Sequence, residues 1–170
     1  MSTANSQDVP DAAMVLRPAQ PTDAGAMGNI LYRFQQDTPW MPKLYAEVEM
    51  IAFCGVMIDR GWVTVAVQTG QATHKARVAG FLARDNDEIC SLYLAAEARG
   101  QGLGHKLVEA AKAASPNLWL RVFEANTAAH RFYQRAGFVE TQRRNGADIE
   151  EGLSVLRMGW RQAQSCEQAA

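Results

Sequence analysis

Three alternating, β-branched runs follow one another with no helical stretch between them: WVTVAVQ (62–68), ARVAGFLAR (76–84) and EICSLYL (88–94). Alternation at period two puts every second side chain on one face of a sheet, and short polar links join such runs as antiparallel neighbours. The links TGQATHK and RDND are too short to hold the crossover helix that parallel neighbours require. This argues against a doubly wound parallel sheet and predicts an antiparallel meander at the centre of the fold.

The flanking sequence changes period. AMVLRPA (13–19) reads as a short strand ended by proline, and Asp23 to Gln36 places Met27, Ile30, Leu31 and Phe34 at helical spacing. TPWMP is a rigid break. A second helix is expected from about Lys43 to Asp59, with Leu44, Val48, Ile51 and Ala52 on one stripe and Gly61 just beyond its end. After the meander, Leu103, Leu107, Ala110, Ala111 and Ala114 share a helical face that stops at Ser115-Pro116. NLWLRVF (117–123) is a strand. Asn126 is suited to cap a helix carrying Ala129, Phe132, Tyr133 and Ala136 on one face, with Gly137 as its terminating residue. GFVETQRR and LSVLRMGW supply two closing strands, antiparallel across NGADIEEG. The order β-α-α-β-β-β-α-β-α-β-β predicts a mixed α/β domain over residues 14–160, with a mostly antiparallel sheet of about seven strands flanked by four helices. Residues 1–13 and 161–170 are small and polar, and read as flexible ends.

Composition narrows the partners. With 48% apolar residues and a formal net charge of -1, the chain has an ordinary core and no basic stripe of the kind that holds nucleic acid. Its apolar runs are too short to span a bilayer and its first residues do not form a signal peptide, so a cytoplasmic protein is expected. Cys54, Cys90 and Cys166 are odd in number and lack metal-ligand spacing; free thiols and no metal site are expected.

The stretch RGQGLGHK (99–106) then sets glycines 100, 102 and 104 directly before an amphipathic helix. Glycine permits positive φ and close backbone approach, and a helix start presents unpaired N–H groups beside the positive end of its dipole. An anion site is expected there. A P-loop does not fit, because no Lys-Ser or Lys-Thr pair follows the glycines. A dinucleotide fingerprint fits poorly: its third glycine would stand at 105 instead of 104, and a hairpin precedes it in place of a βαβ unit.

LYLAAEARGQGLGHKLVEAA resembles the acyl-coenzyme A signature of the GNAT N-acetyltransferase superfamily, in which Gln or Arg is followed by two spaced small residues; Arg99, Gly102 and Gly104 occupy those positions. LRVFEANTAAHRFYQRAGF (120–138) is similar to the next segment of that family. The resemblance implies acetyl-CoA as co-substrate, with its pyrophosphate held by the backbone from Gly100 to Gly104, Leu103 included, and by Arg99, with His105 a further candidate for a phosphate. It implies that Leu92, Tyr93 and Leu94 lie on a bulged strand whose free backbone groups hold pantetheine, and that Asn126 touches the cofactor as well as capping its helix. It also implies a homodimer through the late strands.

The implied reaction is direct transfer of acetyl to a primary amine. Tyr133 is the expected proton donor to the leaving thiolate, since a phenol stays protonated at neutral pH. Glu88 or Glu124, each at a strand end, is positioned to take the amine's proton directly or through water, Glu88 being preferred; Glu124 is otherwise a residue of the acceptor's surroundings. Glu150 and Glu151 resemble an acidic pair in a bacterial subgroup, where they would either attract a cationic amine or simply solvate a loop. The same fold without a working acceptor pocket would be an acyl-CoA sensor or an interaction module.

Overall fold

A computed structural model describes residues 13–70 and 76–164; Cys166, His74 and most of the TGQATHK link lie outside them, as do most of the two expected flexible ends. The strands are β1 (Ala13–Pro18), β2 (Val63–Thr69), β3 (Arg77–Asp85), β4 (Glu88–Leu94), β5 (Asn117–Phe123), β6 (Val139–Arg144) and β7 (Val155–Arg161). The helices are α1 (Ala24–Asp37), α2 (Glu47–Asp59), α3 (Leu103–Ala114) and α4 (Thr127–Arg135). The seven strands form one sheet in the order β1-β2-β3-β4-β5-β7-β6, antiparallel at every step except β4–β5. No described helix is long and apolar enough to cross a membrane.

The alternation of the strands sorts the core into two layers. Met27, Ile30 and Leu31 of α1 and Met50, Cys54 and Met57 of α2 pack on Val65, Val67, Phe81 and Ala83. On the opposite face, Leu103, Leu107, Val108 and Ala111 of α3, with Tyr133 and Phe138, cover Leu82, Leu118, Leu120, Leu156 and Met158. Full burial of such side chains contributes about 1.5–3 kcal/mol each, which is what fixes each strand's facing.

Three helical expectations need correction. The second helix begins at Glu47, not near Lys43, because the preceding residues are bound to the end of α1. The buried Gln35 side chain donates to Tyr45 O at 2.9 Å and accepts from Tyr45 N at 3.2 Å, which holds Tyr45 outside any helix. Lys43 Nζ donates to the last carbonyls of α1, Gln35 O among them, and to Gln36 O at 3.0 Å. The Glu49 carboxylate then accepts from Ala46 N at 2.7 Å and starts α2. Its buried face is Met50, Cys54, Met57 and Ile58, whereas Leu44 and Val48 of the expected stripe are exposed. In α3, Ala110 and Ala114 are likewise exposed and Val108 is buried in their place.

The parallel step carries the functional consequence. β4 and β5 are in register only at Glu88↔Trp119 and Ile89↔Leu120. Against β3, Ser91 pairs with Ala83 and Ile89 with Arg84, so Cys90 is an extra residue, a bulge that bends β4 where it leaves β5. Beyond Ile89 the two strands diverge, and the β5-facing edge of β4 has no strand to bond.

Candidate active site

The divergence opens a wedge of about 370 Å³ lined by both strands and by α4. Leu92, Tyr93 and Leu94 form one wall, Leu120, Val122 and Phe123 the other, and Asn126, Ala129, Phe132 and Tyr133 close the side under α4. At the end of β4 the chain makes a short turn and enters α3 through Gly100 and Gly102, at φ 74° and 78°. Both occupy the left-handed region that costs a side-chain-bearing residue roughly 1–2 kcal/mol. A Cβ on Gly102 would meet no protein atom within 4 Å, so its outer side is free for a ligand, whereas a Cβ on Gly104 would stand 3.3 Å from the Phe132 ring. The first N–H groups of α3 have no acceptor within the helix, and they point out at this turn.

Leu94 and Arg99 tie the turn to the wedge: Arg99 Nη2 donates to Leu94 O at 3.4 Å, and both residues line the cavity. Asn126 Oδ1 accepts from Ala129 N at 3.1 Å, capping α4 with its side chain at the cavity wall. The sequence model of the Acetyltransferase (GNAT) family matches residues 15–138, which takes in the wedge strands, the glycine turn and α4. The chain belongs to the GNAT acetyltransferase family.

Two curated GNAT relatives, both peptidyl-lysine N-acetyltransferase YjaB, are similar to part of the chain. That of Salmonella typhimurium is 32% identical over 97 residues, covering 57% of this chain and 62% of its own length. That of Escherichia coli is 31% identical over 81 residues, covering 48% and 55%. The matched stretch thus spans about three-fifths of these relatives. Among solved structures, apo YjaB of Escherichia coli superposes with a TM-score of 0.70 at 23% identity over 89% of this chain and 99% of its own. YncA of Salmonella typhimurium, solved with its cofactor acetyl-CoA, has a TM-score of 0.66 at 19% identity over 94% of this chain and 100% of its own. These likenesses establish the GNAT fold.

The remaining residues singled out in the sequence fall into three groups. Leu92, Tyr93, Leu94, Arg99, Gly104, Asn126 and Tyr133 line the wedge. Gly100, Gly102 and His105 are exposed at the start of α3, and Leu103 is buried in the core, leaving only its backbone for a ligand. Glu88 and Glu124 stand outside the lining. Glu88 Oε1 accepts from Arg121 Nη2 at 2.7 Å at the paired foot of the wedge, and Glu124 is joined to Arg143. The Glu88 carboxylate, expected as a base near the cleft, is thus paired with Arg121 and does not itself line the cavity; a position at a strand end did not reveal on which side of the foot its side chain falls. Glu150 is exposed on the β6–β7 loop and Glu151 is half-buried there.

Burial raises the Tyr133 phenol above its ordinary value, and the Tyr93 phenol adds to the shift, so Tyr133 keeps its proton. It packs edge-on against Phe132 and Phe138, at 5.1 and 5.5 Å between ring centres. Cys90 also lines the wedge, and burial raises its thiol above the usual range, against a resting thiolate. Three aromatic residues beside the wedge carried no assignment from sequence: Phe34 read as one more position on a stripe, Phe123 as the end of a strand, and Trp40 as part of a proline break.

Proposed function

We propose that the protein is an acetyl-CoA-dependent N-acetyltransferase acting on a primary amine, with the amine of a peptidyl lysine as the leading acceptor. The observation that carries this reading is the wedge itself, bulged at Cys90, open along the β4 edge and ending at the glycine turn of α3. Such an edge fits an extended chain with two amides, as β-strand addition does. The open side of Gly102 and the α3 amides fit a pyrophosphate. Arg99 adds a cation at the same end. The names of the YjaB relatives support the lysine acceptor.

The bound co-substrate supplies a thioester as the activated acetyl group. Within the wedge, the β4 backbone holds its pantetheine arm, and an N–H on the free β4 edge stabilises the negative charge that develops on the carbonyl oxygen. The amine nitrogen forms a bond to the carbonyl carbon, the C–S bond breaks, Tyr133 gives its proton to the departing thiolate, and the proton shed by the new amide nitrogen returns through water to the Tyr133 phenolate. No carboxylate lines the cavity among the described residues. The incoming ammonium therefore passes its proton to water at the mouth, helped by apolar walls that disfavour its charged form. Glu150 and Glu151 attract the cation to that mouth. Strand β6, exposed along its whole length at the sheet edge, supports a homodimer through the late strands.

Thermal unfolding with acetyl-CoA, and with NADH as control, tests the binding half. A ligand at about 100 times its Kd adds about 2.7 kcal/mol, or about 5–11 °C in midpoint for a domain of this size. A shift with acetyl-CoA alone is expected; a shift with NADH alone would point to a dinucleotide site instead. Binding without transfer to any amine would favour the sensor.

A further inference from the structure

On the sheet face that carries α1 and α2, a row of aromatic rings crosses the gap between β4 and β5. Tyr93 on β4 meets Phe34 of α1 edge-on, with ring centres 5.2 Å apart. Phe34 in turn meets Trp40 at 6.2 Å, and Trp40 meets Phe123 at the end of β5 at 5.9 Å. Phe34, Tyr93 and Phe123 line the wedge, and Trp40, behind that lining, packs against both Phe34 and Phe123 and so braces α1 against the end of β5. The segment that carries Trp40 is fastened on its far side. Gln35 and Lys43 bind it to the end of α1, and Tyr45 Oη donates to Glu150 Oε2 at 2.6 Å, across to the β6–β7 loop.

Resting on the acetyltransferase reading of the wedge, we infer that Phe34 and Phe123, positioned by Trp40 packed between them, form the specificity-determining wall of the acceptor channel, and that this channel takes an unbranched alkylammonium arm, as of a lysine inside a peptide, over a peptide α-amine. Edge-on rings give methylene groups apolar surface on several sides, and a cation passing them is held by the ring faces. An α-amine has a side chain and a carbonyl on the carbon next to its nitrogen, and both would crowd against these rings where an unbranched arm would not.

The acidic loop divides its work in a way that agrees. Glu150 is engaged by Tyr45. Glu151 is half-buried, makes no hydrogen bond or ion pair among the described residues, and its charge acts on both Tyr45 and Tyr93. It is the carboxylate left to meet a cation at the mouth.

Two peptides of one sequence test the inference, one with a blocked N-terminus and a free lysine, the other with a free N-terminus and blocked lysines. Wild type should favour the free-lysine peptide in kcat/KM by about tenfold or more, the scale on which pocket shape discriminates. Trp40→Ala should raise KM for that peptide about tenfold and bring the ratio of the two peptides near unity, with the acetyl-CoA-induced thermal shift unchanged; Trp40→Phe should recover most of the preference. A folded Trp40→Ala with wild-type KM and ratio overturns the inference, as does a wild-type preference for the α-amine. If Trp40→Ala fails to fold, Phe123→Leu puts the same wall to the same test. Transfer to neither peptide with the acetyl-CoA shift intact also overturns the inference, and loss of both shift and transfer overturns the acetyltransferase reading with it.

Discussion

The phenol of Tyr45 donates to Glu150 Oε2 at 2.6 Å, joining the segment between the first two helices to the β6–β7 loop. The bond to a carboxylate pushes the Tyr45 pKa up to about 12, with burial and the charges of Glu150, Glu151 and Glu49 adding to it. The folded state thus holds this proton more tightly than the unfolded chain, whose phenol titrates near 10. Stability linked to it is whole below a pH of about 10 and is lost as pH rises toward about 12. Thermal midpoints across that window should fall more steeply in wild type than in Tyr45→Phe; parallel alkaline limbs would count against the bond.

A second test concerns how closely the two helices meet. A Cβ on Gly28 would lie 2.7 Å from Ile51 Cα and 2.8 Å from Ile51 N, and backbone of this kind cannot move aside as a flexible side chain can. Gly28→Ala should therefore destabilise by about 1–3 kcal/mol, the usual cost of overpacking, in spite of alanine's better helix propensity. Denaturant unfolding measures it, and an unchanged or raised midpoint would show that α1 and α2 are not held at this distance.

The pairing of Gly28 with Ile51 was not legible in the sequence, and the reason is general to this chain. Period gave the strands and the helices, since alternation and helical stripes are local properties. The face of α2 was misread because Val48, Ala52, Phe53 and Val56 make the helix apolar on its outer side too, and a stripe cannot be found where nearly every position is apolar. The glycine turn and Tyr133 could be singled out for the wedge because their spacing is a motif. Trp40 and Phe123 could not, because their contact joins a proline break to a strand end 83 positions later, and only the divergence of β4 from β5 gives that contact a purpose.

At the glycine turn, stability and binding separate. Gly102→Ala keeps the protein side of the residue clear but must hold φ near 78°, at a cost of about 1–2 kcal/mol. The added methyl faces the proposed pyrophosphate. Calorimetric titration should show acetyl-CoA affinity falling at least tenfold in a variant that remains folded. Undiminished affinity would remove the turn from the cofactor site.

Tyr133→Phe keeps the ring among Phe132 and Phe138 and removes only the hydroxyl. Loss of a general acid typically costs 10²–10⁴-fold, so kcat should fall by roughly 100-fold or more while acetyl-CoA affinity stays near wild type. A loss of affinity with kcat retained would make Tyr133 a binding residue instead.

The central claim is that the β4–β5 wedge passes an acetyl group from coenzyme A to an amine. The most direct measurement follows free coenzyme A thiol and acetylated peptide together, with acetyl-CoA and a lysine peptide as the only additions. Thiol and acetyl-lysine should appear one for one, and both should slow together in Tyr133→Phe. Thiol released without acetylated peptide would make the wedge a thioester hydrolase, and release of neither, with the wild-type protein folded and saturated, would contradict transfer altogether.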